Sequence, residues 1–210
     1  MRLPPSRQQG AALVTVLFLM IAVLMMSASS MGAALSAAKS ARHERDRHVA
    51  QAAAEAALHD AERDIEGAAG AASPRTATFA AADAGAFMDD CAGAAERAGL
   101  CRHIPPPGVP AWQAADLAGG AGVEYGRFTG RQMPTGAGQL PSRPPRYLIE
   151  LLPAPGAGPR YRITAIGFGA DAATIVVLQC YYIRTTSTAP GRRVGWRDIA
   201  NWPELHAAAS

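Results

Sequence analysis

Two kinds of apolar pattern divide this chain. Residues 8–38 contain no Asp, Glu, Lys or Arg, and within QQGAALVTVLFLMIAVLMM (8–26) apolar side chains fill nearly every position after the glycine. A helix built this way has no polar face to turn toward water. From residue 39 the sequence KSARHERDRHVAQAAAEAALHDAERDIEG keeps strong helix formers but narrows the apolar positions to a stripe. Ala54, Leu58, Ala61 and Ile65 recur at spacings of four, three and four, which keeps them on one helix face. Glu44/His48 and Glu55/His59 fall one turn apart and can form weak acid–imidazole contacts. Only Gly32 interrupts the pattern, and no proline follows until Pro74. The spacing predicts one continuous helix over 11–66, about 84 Å long at roughly 1.5 Å per residue.

A period-two pattern takes over near the other end. RYLIELL (146–152), RYRITAIGFG (160–169) and ATIVVLQCYYIR (173–184) are rich in β-branched and aromatic residues and read as strands. The intervening 153–159 and 169–172 are short enough for antiparallel hairpins. In the last strand Val176, Leu178, Cys180 and Tyr182 share one face, expected to pack on the helical stripe. A long helix on an antiparallel sheet of three or four strands is an α+β fold.

Between these elements, 67–145 is a loop-rich region. The chain carries 21 Gly and 16 Pro, concentrated over 67–159. Residues 67–86 read as a loop with an irregular turn, 84–99 as a short helix carrying Cys91, IPPPGVP (104–110) as extended chain, and 123–128 as an edge strand. The sheet is expected over 146–186 and a tail over 187–210. In that tail RRVGWRDIANWPEL invites three readings: packing on a sheet edge, contact with a membrane interface, or no fixed structure.

Composition limits what this fold can do. Of the 49% hydrophobic residues many are alanine and only 6% of the chain is aromatic, enough for one modest core. A net charge of +3 describes an ordinary solvated surface, and no nucleic-acid partner is expected from it. Cys91 and Cys101 stand ten residues apart and Cys180 stands alone in an apolar run. No CxxC occurs, which removes zinc-ribbon and thioredoxin readings. In an oxidising compartment Cys91–Cys101 would close a small loop, leaving Cys180 as a buried thiol.

The first segment therefore decides the compartment. Its 31 uncharged residues exceed the roughly 20 that cross a bilayer, and Arg2 and Arg7 ahead of it favour an inside N-terminus with the rest exported. Three fates compete: a signal peptide cut near the small residues Ser27, Ala28 and Ser29, an uncut bitopic anchor over 11–38, or a cut after Gly10. A helix that continues over 39–66 favours the last two.

A basic leader (1–10) ending in glycine, then an apolar helix, then an amphipathic continuation resembles a type IV pilin or pseudopilin. More narrowly, the opening run followed by RHERDRHVAQAAAEAALHDAE is similar to the minor pilin family PilX, on Asp46, Arg47, Ala50 and residues 53–58. Gln51 precedes the position where that family has its glutamine, which here is Ala52. YRIT (161–164) and IVVLQCY (175–181) resemble the family's closing strands.

The resemblance implies cleavage between Gly10 and Ala11 by a prepilin peptidase and methylation of the Ala11 amine. It also implies a role in pilus assembly, in an initiating or tip complex, with an influence on adhesion or aggregation. Its implied partners are other minor and major pilins, the inner-membrane assembly machinery and, before assembly, membrane lipid. The implied location is the inner membrane with the C-terminal domain in the periplasm, then the pilus. Most pilins carry a glutamate at the fifth mature position; here that residue is Thr15.

No catalytic pattern occurs: GxSxG, HExxH and GxxxxGK[ST] are absent. The glycines of GGAGVEYG and GFGADAA lack a strand-then-helix context. His43, His48 and His59 are not spaced as a metal set, and Asp89 with Asp90 does not make a calcium loop. Lys39, Arg42, Arg45 and Arg47 suit either lipid headgroups or a solvated helix face. No enzyme activity, cofactor or metal is expected. Outside the pilus reading stand a bitopic membrane protein with a small periplasmic binding domain and, within the superfamily, a type II secretion pseudopilin.

Overall fold

The computed structural model describes residues 11–67, 75–154, 158–184 and 190–209. Helix α1 (Ala11–Glu66) runs for 56 residues, the length its uninterrupted helix formers predict. It stops at Gly67, whose φ of +80° is the left-handed conformation that glycine enters without steric cost. The chain divides into two compact units, Met1–Arg45 and Asp46–Ser210.

In the first unit the described residues form the opening part of α1. Among the described residues no helix is long and apolar enough to cross a membrane; of the span expected over 11–38, the side chains of 11, 27–31 and 33 lie outside what the structure describes.

The second unit is α+β. Its strands are β1 (Leu100–Arg102), β2 (Val123–Glu124), β3 (Arg146–Leu152), β4 (Arg160–Phe168), β5 (Ile175–Ile183) and β6 (Arg192–Asp198). They form one sheet in the order β1-β3-β4-β5-β6, with β2 also on β3. The sheet is larger than the three or four strands expected, and it is mixed: β1 runs parallel to β3 while the other pairs are antiparallel. β3, β4 and β5 lie where the period-two pattern predicts them. The edge strand expected over 123–128 forms only at Val123–Glu124, as β2; β1 is too short to show any periodicity, and β6, RRVGWRD, carries three arginines and a glycine.

Alternation sends Tyr147, Ile149, Tyr161, Ile163, Ala165, Val176, Leu178, Cys180 and Tyr182 to one face, where they pack with Ala50, Ala54, Ala57, Leu58, Ala61 and Ile65 of α1. This is the pairing of strand face and helical stripe that the sequence predicts. The opposite face has a core of its own. Leu148, Ile166, Phe168 and Val177 pack with Trp112 of α3 (Ala111–Ala114), Trp202 of α4 (Trp202–Ala209) and Cys91 and Cys101. The tail expected over 187–210 thus supplies β6 and α4.

Two local expectations are corrected. Residues 84–99 do not form a helix; they hold two single 3₁₀ turns, Ala84–Ala86 and Ala95–Arg97. Cys91 and Ala95 take positive φ, 60° and 49°, which an α-helix cannot continue through. Conversely, the stretch read as loop contains α2 (Thr76–Ala81), whose Phe79 is fully buried against Phe87 and Tyr161.

Candidate assembly segment and its anchoring

α1 begins at Ala11 with no acidic residue in its first turn. Gly10, where cleavage is expected, lies outside the described residues. The Thr15 hydroxyl donates to the Ala12 carbonyl at 2.9 Å, so the polar group is satisfied by its own helix backbone. Every large apolar side chain from Leu13 to Met26 is exposed, from 45% at Ile21 to 75% at Phe18 and Met26. Contiguous apolar surface on this scale marks an interaction or membrane-contact site.

The C-terminal part of α1 is built differently. Ala50, Ala54, Ala57 and Ala61 are completely buried, and small side chains let another backbone come close. β4 uses that opportunity at Gly167. A Cβ there would lie 2.0 Å from the Ala50 carbonyl oxygen and 2.4 Å from the Ala54 nitrogen. Asp46 accepts the Ala170 and Asp171 backbone N–H groups at 2.6 and 3.2 Å, holding the β4–β5 turn. Arg47 reaches Asp198 at the end of β6, Nη2 to Oδ2 2.6 Å.

One turn apart on α1, Asp60 and Asp64 enter a buried polar network. Asp60 accepts from the Gly126 N–H at 2.7 Å and from the Thr129 hydroxyl. Asp64 accepts from the Tyr147 hydroxyl at 2.9 Å and lies 3.4 Å from Arg75 Nη2, both side chains fully buried. Arg75 also donates to the Ala98 carbonyl at 3.1 Å, with its guanidinium 4.0 Å from the Phe128 ring centroid. Burial pushes the Asp64 carboxyl up to about 6, against the opposing pull of Arg75 and the Tyr147 hydrogen bond. It raises Asp60 as well, against Thr129 and Gly126. The two acids pin a middle region that has little regular structure.

Further along, Glu62 pairs with Arg193 at 2.7 Å. Glu66 accepts from the Tyr182 hydroxyl and the Gly191 N–H at 2.8 and 2.9 Å. These contacts hold β6 to the helix.

Cys91 and Cys101 are disulfide-bonded and both fully buried, the pairing their spacing permits. Cys180 is a free, buried thiol that burial pushes up to about 12, which keeps it protonated and unreactive. Among the described residues no group of three or more His, Cys, Asp or Glu is placed to hold a metal ion.

Residues 9–59 match the PilX N-terminal family model, and residues 66–184 match the model for the type IV pilus assembly protein PilX C-terminal region. The chain belongs to the PilX family. It is accordingly a minor pilin of type IV pilus assembly. No curated protein and no solved structure matches the chain.

Within this PilX-family pilin the D-R…A…AAEAAL motif acquires a physical meaning. Asp46 and Arg47 tie α1 to two strand ends, and Ala50, Ala53, Ala54, Ala57 and Leu58 form the buried face. Sequence reasoning missed Asp60, Asp64, Arg75 and Gly167. The available signal was a pair of acids at i and i+4 directly beside the apolar positions Ala61 and Ile65. The matched span ends at Arg184, where β5 has just finished, so β6 and α4 lie beyond it.

Proposed function

We propose that this PilX-family pilin is cut between Gly10 and Ala11 by a prepilin peptidase and methylated on the Ala11 amine. It is then held in the inner membrane by the apolar part of α1, with Asp46–Ser210 in the periplasm, before joining the pilus. The observation that carries this reading is the exposed apolar surface of α1 between Leu13 and Met26. That surface costs free energy in water and is covered by lipid before assembly and by neighbouring pilin helices after it. The uncharged sequence over 8–38 supports the same reading beyond the described side chains.

Thr15 points to an initiating, tip-located subunit. A pilin with threonine at this position has no carboxylate with which to neutralise the ammonium of the subunit ahead of it, and an unpaired charge in an apolar filament core is costly. Its own amine remains available to a glutamate of the subunit below. A first subunit meets only the second of these requirements. Tip placement would present the head to other cells and surfaces, which accounts for an influence on adhesion or aggregation.

Intact mass and N-terminal peptide mapping of the protein from its own host test the reading. A mature chain beginning at Ala11 with one added methyl group is the expected result. A chain beginning at Met1 would point to a bitopic anchor, and one beginning near Ser30 to a soluble exported domain; either overturns the proposal.

A further inference from the structure

The sheet face turned away from α1 carries an uneven charge. By strand register, one cross-sheet row on this face is Leu152, Arg160, Ile183 and Arg192, the next is Glu150, Arg162, Tyr181 and Gly195, and a third includes Thr164, Gln179 and Arg197. Tyr181 is therefore surrounded on the ladder by four arginines. Neighbouring strands lie about 4.8 Å apart and alternate residues about 7 Å along a strand, so all four fall within side-chain reach of the Tyr181 ring. Glu150 is the one acid at the outward positions of β3 to β6, and it is occupied. Arg162 donates to it from Nε at 2.9 Å and from Nη2 at 2.6 Å, and His103 Nδ1 lies 2.8 Å away. Among the described residues Arg197 bonds only the neutral Gln179, at 2.9 and 3.2 Å. Arg160 and Arg192 are exposed and have no acidic partner among the described residues.

Within this cationic field lies an open cleft of about 310 Å³, lined by Leu152, Pro153, Arg160, Tyr181, Ile183 and Val194. Tyr181 is 41% exposed. At Gly195 a Cβ would meet no atom within 4 Å, so the flank of Tyr181 opposite Arg162 is open to a flat ring.

We propose that this face, β4 to β6 around Tyr181, binds single-stranded nucleic acid, with Arg160, Arg192 and Arg197 on the phosphates and a base stacked on Tyr181. The chemistry separates this ligand from other anions. Phosphates need donors alone, and the charged groups around the cleft without an acidic partner among the described residues are the guanidinium groups of Arg160, Arg192 and Arg197. Sugar hydroxyls need acceptors too, but here Glu150 and Gln179 are already engaged. Stacking on an aromatic beside arginines is the sequence-tolerant way proteins hold single strands. The net charge of +3 does not reveal this patch, because the balancing acids Glu62 and Glu66 sit on the helix side of the sheet.

The test uses the full chain in non-ionic detergent micelles and a fluorescent single-stranded oligonucleotide of about 16 nucleotides. Three phosphate contacts predict that log affinity falls with log salt at a slope of about −2. Arg160→Gln and Arg192→Gln should each reduce that slope by about 0.7. Tyr181→Ala should weaken binding about tenfold and leave the slope unchanged. Arg42→Gln, on exposed helix surface outside the sheet, should change neither. These side chains are exposed, so thermal midpoints should match the parent; should Tyr181→Ala not fold, the two arginine slopes still decide. No binding, a parent slope that Arg42→Gln lowers as much as Arg160→Gln does, or equal variant-sensitive binding of an acidic polysaccharide or anionic vesicles would overturn the proposal.

Discussion

The two ends of α1 use similar helix-forming residues to opposite effect. Between Leu13 and Met26 the side chains are large and exposed; between Ala50 and Ile65 they are mostly alanine and buried. The more hydrophobic stretch is thus the less buried one within the chain. What decides is shape as well as hydropathy. Alanine buries little area per residue, but it lets a strand come within backbone contact, and a close-packed interface follows. Large side chains over 12–26 keep neighbours at a distance and offer a broad apolar surface. One helix therefore holds a head to itself with its small residues and offers its large ones to something outside the chain.

The sharpest way to break the packed end is Gly167→Val. Its Cβ would lie 2.0 Å from the Ala50 carbonyl oxygen, a backbone clash that no rotamer relieves. A loss of more than about 3 kcal/mol is expected, seen as loss of the protease-resistant head. A Gly167→Val head as resistant as the parent would show that helix and sheet need no close approach. Cys101→Ser is expected to cost about 2–3 kcal/mol, read as a lower thermal midpoint without a change in α1; an unchanged midpoint would show that the 91–101 loop stands without its bridge.

The buried acids sharpen the comparison through pH. Asp64 is raised to about 6 from an ordinary value of 3.8, so the folded state holds its proton more tightly than the unfolded chain does. Its contribution to stability is complete below pH 3.8 and is lost as pH rises toward about 6. Asp64→Asn removes that titration. The stability of the parent relative to Asp64→Asn should therefore decline as pH rises through this window, measured by chemical unfolding at each pH. A difference that is flat, or that grows with pH, would contradict the burial argument. The smallest effect is expected from Arg47→Ala. Its ion pair with Asp198 is half exposed, so about 1 kcal/mol or less is at stake. A larger loss in the unfolding free energy would mean that the α1–β6 contact depends on this one pair.

The same contrast explains what was legible in the sequence. Long periodic segments read well. α1 ends where Gly67 predicts, β3 covers 146–152 as its pattern indicates, and Val176, Leu178, Cys180 and Tyr182 face the alanine stripe. β1 and the arginine-rich β6 did not read, and of the edge strand expected over 123–128 only Val123–Glu124 forms, as β2. β1 and β2 take their stability from pairing with β3, and β6 from pairing with β5 and from Arg193 and Asp198 reaching α1. Tertiary context, not local preference, makes them strands. The buried network was hidden for a similar reason. Asp60 and Asp64 look like ordinary solvated acids until Arg75, Gly126, Thr129 and Tyr147 are brought to them by residues far along the chain.

The central claim is that the large side chains of α1 serve assembly while its small ones hold the head. The most direct test is the double variant Leu17→Ala/Phe18→Ala, with the protein quantified in sheared pili and its head assayed by protease resistance. The account predicts an intact head and at least about a tenfold loss from pili, since each large side chain forfeits about 1.5–3 kcal/mol of burial. Pili carrying parental amounts of the variant, or a head lost together with them, would contradict it.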